Sequence, residues 1–101
     1  MSYMEPVIGQ KRQHERVPLR MTASLRESGG RKYDITVFDL SLSGCRCEAL
    51  FTVNPGSRIW IQIPGMQSIE TIVIRRERFI LGCQFVNPLH PATFDHIRAK
   101  F

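Results

Sequence analysis

From Leu19 the chain alternates, with apolar Leu19, Met21, Ala23 and Leu25 set between polar Arg20, Thr22, Ser24 and Arg26. A two-residue period sends successive side chains to opposite faces, the pattern of a strand with one buried face. Pro18 suits the start of such a strand, where its missing N–H removes no interior ladder bond. "ESGGRK" then reads as a hairpin turn, with Gly29 and Gly30 able to supply positive φ. The next run, "KYDITVFDL", sends Tyr33, Ile35, Val37 and, by the same period, Asp39 to one side and Phe38 and Leu40 to the other.

"SLSG" interrupts the alternation. "CRCEAL" follows as a short strand with Arg46 and Glu48 facing away from Cys45 and Cys47, and "NPGS" at 54–57 is a turn signal. "RIWIQIP" is the cleanest strand, with Ile59, Ile61 and Ile63 inward and Trp60 outward, either packed on the outer wall under the terminal helix or presented to a partner. "SIETIVIRRE" and "RFILGCQFV" form the last pair, joined tightly around Arg76–Arg78, with Phe79, Leu81, Cys83 and Phe85 on one face. The cluster Arg75, Arg76 and Arg78 reads as a solvated hairpin tip or as a rim contact to an anion or acidic partner.

The period changes in "HPATFDHIRAKF", where Phe94, Ile97 and Phe101 fall at helical spacing and Pro91 suits a first turn. So short a helix does not stand alone in water and should dock its apolar stripe on the strands or on a partner. Six strands with turn signals about 8–12 residues apart predict an all-β fold, a six-stranded antiparallel barrel with a short C-terminal helix from about residue 91. Closing the sheet removes the edges that would otherwise invite aggregation. Residues 1–15 carry little periodic signal and read as a flexible N-terminal arm, leaving 16–101 as one barrel domain.

Composition sets limits. With 101 residues, 43% of them hydrophobic, the chain supports one modest core. No run approaches the roughly 18 apolar residues of a membrane span, and "MSYMEPVIGQ" lacks the features of a secretory leader. The expectation is a soluble, cytoplasmic protein. Cys45, Cys47 and Cys83 form no CxxC and read as small buried apolar residues; His14, His90 and His96 are scattered, so no metal or catalytic set emerges. No nucleophile–base pair or phosphate-binding glycine loop is present, and a non-enzyme with no cofactor is expected. The net charge of +5 points to an anionic partner without naming it.

Two motifs narrow that choice. Arg12 and Arg16 have RxxxR spacing just before the first strand, and two guanidiniums four residues apart on an arm can converge on one anion. The spacing is weak alone, because basic chains produce it by chance; Arg16 and Arg20 share it, but Arg20 lies within the first strand. Asp39, Ser41 and Gly44 make DxSxxG. Either this is a β-turn built from turn residues, or it is a site whose carboxylate accepts from paired donors, whose hydroxyl bonds a base or phosphate, and whose glycine permits positive φ and close backbone approach to a ligand.

Together, "RQHERVPLR" and "DLSLSGCRCE", followed by a strand pair ending in "LGCQFV" and a short helix, resemble the PilZ family of cyclic di-GMP receptors. The resemblance runs from about Lys11 to the end of the chain. It implies a six-stranded barrel that binds cyclic di-GMP, with Arg12 and Arg16 contacting guanine and phosphate, Asp39 and Ser41 reading a guanine, and Gly44 keeping the turn open. The arm is expected to be disordered when free and to wrap over the ligand on binding, with Arg16 near the hinge. Lys11 stands where the family often has another arginine that bears on whether one ligand or a stacked pair is bound; lysine brings charge without a stacking plane. The output would pass to a separate downstream protein, in bacterial motility, exopolysaccharide or virulence control. The alternatives from the residues are a single-stranded nucleic-acid module, against which stands the absence of interleaved exposed aromatics, and a ligand-independent protein adaptor.

Overall fold

The computed structural model describes residues 15–101. The strands are β1 (Val17–Glu27), β2 (Lys32–Leu40), β3 (Gly44–Glu48), β4 (Arg58–Gln62), β5 (Ile69–Glu77) and β6 (Ile80–Phe85), followed by helix α1 (Pro91–Lys100). All pairings are antiparallel, in the order β1-β2-β3-β6-β5-β4, and β1 pairs back with β4 from Ser24–Gln62 to Glu27–Ile59 to close the barrel. The expected all-β barrel with its short terminal helix is the observed fold. Lys11, Arg12, His14 and most of the arm expected over residues 1–15 lie outside the described residues.

Alternation builds the core as the sequence suggests. Leu25, Val37, Ile59, Ile61, Ile63, Val73 and Leu81 are almost wholly buried inside the barrel. Phe94 and Ile97 of α1 join them, so the helix is held by its apolar stripe against the barrel. Phe101, expected in that stripe, is instead the helix cap and is exposed. At the other terminus of α1, His90 Nδ1 accepts a hydrogen bond from the Ala92 N–H at 3.0 Å, satisfying one of the unpaired N–H groups of the first turn. Trp60 faces outward and is half-buried, with the Arg26 guanidinium of neighbouring β1 5.0 Å from its ring centre.

Bulges break the alternation where the chain's polar groups gather. The β2–β3 register slips by one residue between Val37 and Asp39, and the β5–β6 register slips between Val73 and Arg75. An extra residue flips the phase of everything after it. Strict alternation would have placed Asp39 inward with Val37 and left Leu40 outward. The bulge instead puts Leu40 fully in the core opposite Cys45 and sets Asp39 beside outward-facing Arg46. Ile74, the bulged residue of β5, is pushed out to solvent, and Arg75 is turned outward opposite Gly82. Phe79, expected on the buried face of β6, lies instead in the two-residue turn between Glu77 and Ile80 and is exposed.

Candidate ligand-binding site

The "DLSLSG" segment folds into a tight, buried connection between β2 and β3. Ser41 is 2% exposed and its hydroxyl is spent on the turn: Oγ accepts from the N–H groups of Ser43 (3.2 Å) and Gly44 (3.1 Å), and lies 3.3 Å from the Gly44 carbonyl oxygen, to which it donates. The Ser41 N–H also donates to that carbonyl at 2.8 Å. This is the local serine chemistry that favours turns. Beyond the turn, the Leu89 N–H donates to the Leu42 carbonyl at 2.8 Å, tying the approach to α1 to the same end of the barrel.

Gly44 is needed for proximity. Its φ lies outside the left-handed region, but a Cβ there would stand 2.1 Å from the Cys83 carbonyl oxygen of β6. Only glycine lets β3 and β6 approach this closely, so the backbone it admits is the protein's own.

Asp39 is buried, and each of its carboxylate oxygens is engaged by an arginine. Oδ1 accepts from Arg16 Nη1 at 2.8 Å and Oδ2 from Arg46 Nε at 2.7 Å. The Arg46 guanidinium also lies 5.2 Å from the Phe38 ring centre. Using Nε for Asp39 leaves both terminal nitrogens of Arg46 without another hydrogen bond among the described residues. The carboxylate thus holds two half-exposed guanidiniums in place from a single buried anchor.

Those guanidiniums line a cleft of about 400 Å³ over the outer face of β3, β6 and β5. Its wall includes Arg16, Ser43, Gly44, Arg46, Arg75 and Gln84, and contains no aspartate or glutamate. Arg75 lies against Gly82, where an added Cβ would stand 3.4 Å from the arginine Cγ, an ordinary contact. A larger cleft of about 640 Å³ lies between the β4–β5 connection and α1, with Met66, Glu70, Leu89 and His96 in its wall. Charge favours the smaller one: three arginines without a lining acid make a place for an anion, whereas the larger cleft includes Glu70 and no arginine or lysine.

Of the residues the motifs singled out, the structure brings Arg16, Asp39, Ser41 and Gly44 to one end of the barrel. Arg16 and Gly44 line the cleft, and Asp39 and Ser41 stand behind it. Arg46 was not singled out by the motifs, although its outward position between two inward cysteines and its place two residues after Gly44 were available signals. Arg75 separates from Arg76 and Arg78 and joins the cleft, a consequence of the β5 bulge.

Compared with known families, residues 10–101 match the model of the PilZ domain. The chain belongs to the PilZ family. PilZ domains are generally receptors for cyclic di-GMP, and they are binding domains rather than enzymes. No curated protein matches this PilZ chain. No helix among the described residues is long and apolar enough to cross a membrane, and no group of three or more potential metal ligands occurs among them.

Proposed function

We propose that this PilZ barrel is a cytoplasmic, non-enzymatic receptor that binds cyclic di-GMP in the cleft beside the β2–β3 turn and passes the signal to a separate protein. The observation that carries the reading is the cluster of Arg16, Arg46 and Arg75 around a cleft with no lining acid, the first two of them anchored on Asp39. Cyclic di-GMP presents two phosphates and two guanines, and the planar fork of arginine matches both a phosphate and the O6/N7 edge of guanine.

In this reading Arg12 and Arg16 of RxxxR grip guanine and phosphate from the N-terminal side, with Lys11 adding charge. Asp39 aims Arg16 and Arg46, and its remaining lone pairs accept from a guanine edge, since a carboxylate offers about four acceptor positions. Ser41 and Gly44 hold the wall of the site, Ser41 by fixing the turn and Gly44 by keeping β3 against β6.

Calorimetric titration with cyclic di-GMP tests the proposal and gives the stoichiometry on which Lys11 bears. Arg16→Ala is expected to weaken binding about 10–100-fold, the range for losing a bidentate base contact. Wild-type affinity in that variant overturns the site. A parallel titration with a single-stranded oligonucleotide across salt separates the nucleic-acid alternative, for which a steep salt slope and indifference to guanine are expected.

A further inference from the structure

Gly82 sits in the middle of β6, where glycine weakens a strand through entropy and the lack of a side chain to pack. The fold does not require it. Its φ lies outside the left-handed region, and an added Cβ would meet Arg75 Cγ at 3.4 Å and Nε at 3.8 Å, both ordinary contacts. Gly44 differs, since there a Cβ would stand 2.1 Å from a backbone oxygen. A strand glycine that its own backbone does not need marks a close approach by something else.

The register shows what approaches. Gly82 is the partner of Arg46 on β3 and of Arg75 on β5, so one row across the outer face reads Arg46, Gly82, Arg75. Neighbouring strands are about 4.8 Å apart, which sets the two arginine backbones roughly 10 Å apart with no side chain between them. Arg75 uses that gap. Its stem leans over Gly82, and it shares a cleft wall with Ser43, Gly44 and Arg46 on the far side of β6. Asp39 engages Arg46 through Nε, Arg75 has no ion pair among the described residues, and no acid lines the cleft. Two like charges turned to one cleft repel each other; an anion between them relieves that repulsion, and a neutral base edge does not.

We propose that the row Arg46–Gly82–Arg75 is the seat for one phosphate of the nucleotide, with Gly82 as the positioning residue that lets Arg75 cross β6. The proposal rests on the cyclic di-GMP reading above and deepens it: one phosphodiester goes to residues outside both motifs, and the other is left to the arm. The unbridged phosphodiester oxygens accept from arginine N–H groups on either side. Arg46 offers its two terminal nitrogens, because Nε is held by Asp39, and Arg75 offers its fork from across Gly82. A branched side chain at 82 extends past Cβ into the arginine stem and turns Arg75 away, whereas alanine adds only the Cβ that already has room.

The test is calorimetric titration of the full chain with cyclic di-GMP, paired with thermal melts. Arg75→Ala is expected to weaken binding about 10–100-fold, the range for losing hydrogen bonds to a charged group. Gly82→Val is expected to weaken it within the same range while melting no lower than wild type, since valine favours strands, and Gly82→Ala should bind within about twofold of wild type, as an ordinary contact allows. In the Arg75→Ala background Gly82→Val should cost nothing more, because two residues acting through one contact are not additive. A ³¹P resonance of the bound ligand should move in Arg75→Ala. If wild type takes no cyclic di-GMP, the receptor reading fails and the seat with it; if wild type binds and Arg75→Ala matches it, only the seat fails. Lost affinity with unmoved ³¹P resonances would give Arg75 to a guanine and overturn the phosphate assignment. A full further loss in the double variant, or a large fall in the melting temperature of Gly82→Val, would overturn the role of Gly82.

Discussion

The barrel reverses direction tightly at two places at opposite ends. Between β2 and β3, Ser41–Ser43 turn the chain in three residues, and between β5 and β6, Arg78–Phe79 do so in two. The first turn is half to fully buried, its serine hydroxyl bonded to the backbone around it, and its following glycine lies against the facing strand. The second is exposed at both residues, and its first, Arg78, is held at φ +56°. One turn is over-determined by its surroundings and borders the candidate site. The other carries strain without a glycine to absorb it and is far from the site. A rigid reversal fixes where Asp39 and Gly44 stand, and thereby where Arg16 and Arg46 point; the exposed reversal only has to connect two strands.

The contrast breaks most sharply at Gly44. Gly44→Ala sets a methyl where the Cys83 carbonyl oxygen already lies, 2.1 Å away. Backbone cannot rotate aside as a side chain can, so β3 and β6 must part. The expected cost is about 3 kcal/mol or more, at or above the top of the usual range for overpacking, read as a fall in the urea midpoint. An unchanged midpoint would show that the two strands are not in such close contact.

Next in size is the anchor. Asp39→Ala removes the partner of both Arg16 and Arg46 and is expected to weaken cyclic di-GMP binding by up to about 100-fold, comparable to deleting a bidentate contact outright. Because both arginines are about half exposed, at 54% and 47%, stability should fall far less than in Gly44→Ala. Calorimetry paired with a thermal melt checks the split. A large loss of stability with intact binding would place Asp39 in the fold rather than in the site.

These two residues also show what could be read before the structure. The strands and their buried faces followed from alternation, because a half-buried strand must repeat every two residues, and α1 followed from a change of period. The bulges at Phe38 and Ile74 did not follow. Nothing in "TVFDL" or "IVIRR" marks an inserted residue, since a bulge is a property of two paired strands and their register. Those slips turned Leu40 into the core and Asp39 and Arg75 toward the cleft, so the site was legible as motifs but not as geometry. Gly44 is the clearest instance: its spacing flagged it, while the reason for glycine lies 39 positions away in Cys83. Arg46 was passed over because no motif included it, and only the register with Asp39 gives it a role.

Ser41→Ala is a milder probe of the buried turn. It leaves two N–H groups, of Ser43 and Gly44, without the oxygen they share. The Gly44 N–H is buried and cannot readily turn to water, so a loss of about 1–2 kcal/mol is expected. Hydrogen exchange should quicken at Ser43 and Gly44 before it does elsewhere in β3. No change in exchange at these two amides would mean the serine is not what closes the turn.

The smallest effect, and the only one of opposite sign, belongs to the exposed turn. A non-glycine residue in the left-handed region costs roughly 1–2 kcal/mol, because its Cβ crowds the neighbouring carbonyl. Arg78→Gly removes that crowding, but it also frees the unfolded chain, which offsets part of the gain. The net expectation is stabilisation by up to about 1 kcal/mol, with cyclic di-GMP affinity unchanged because Arg78 does not line the arginine cleft. A lower melting temperature in this variant would mean that the arginine side chain, and not the backbone angle, dominates the turn. Weaker binding of the nucleotide would extend the site to the far end of the barrel and erase the division between the two turns.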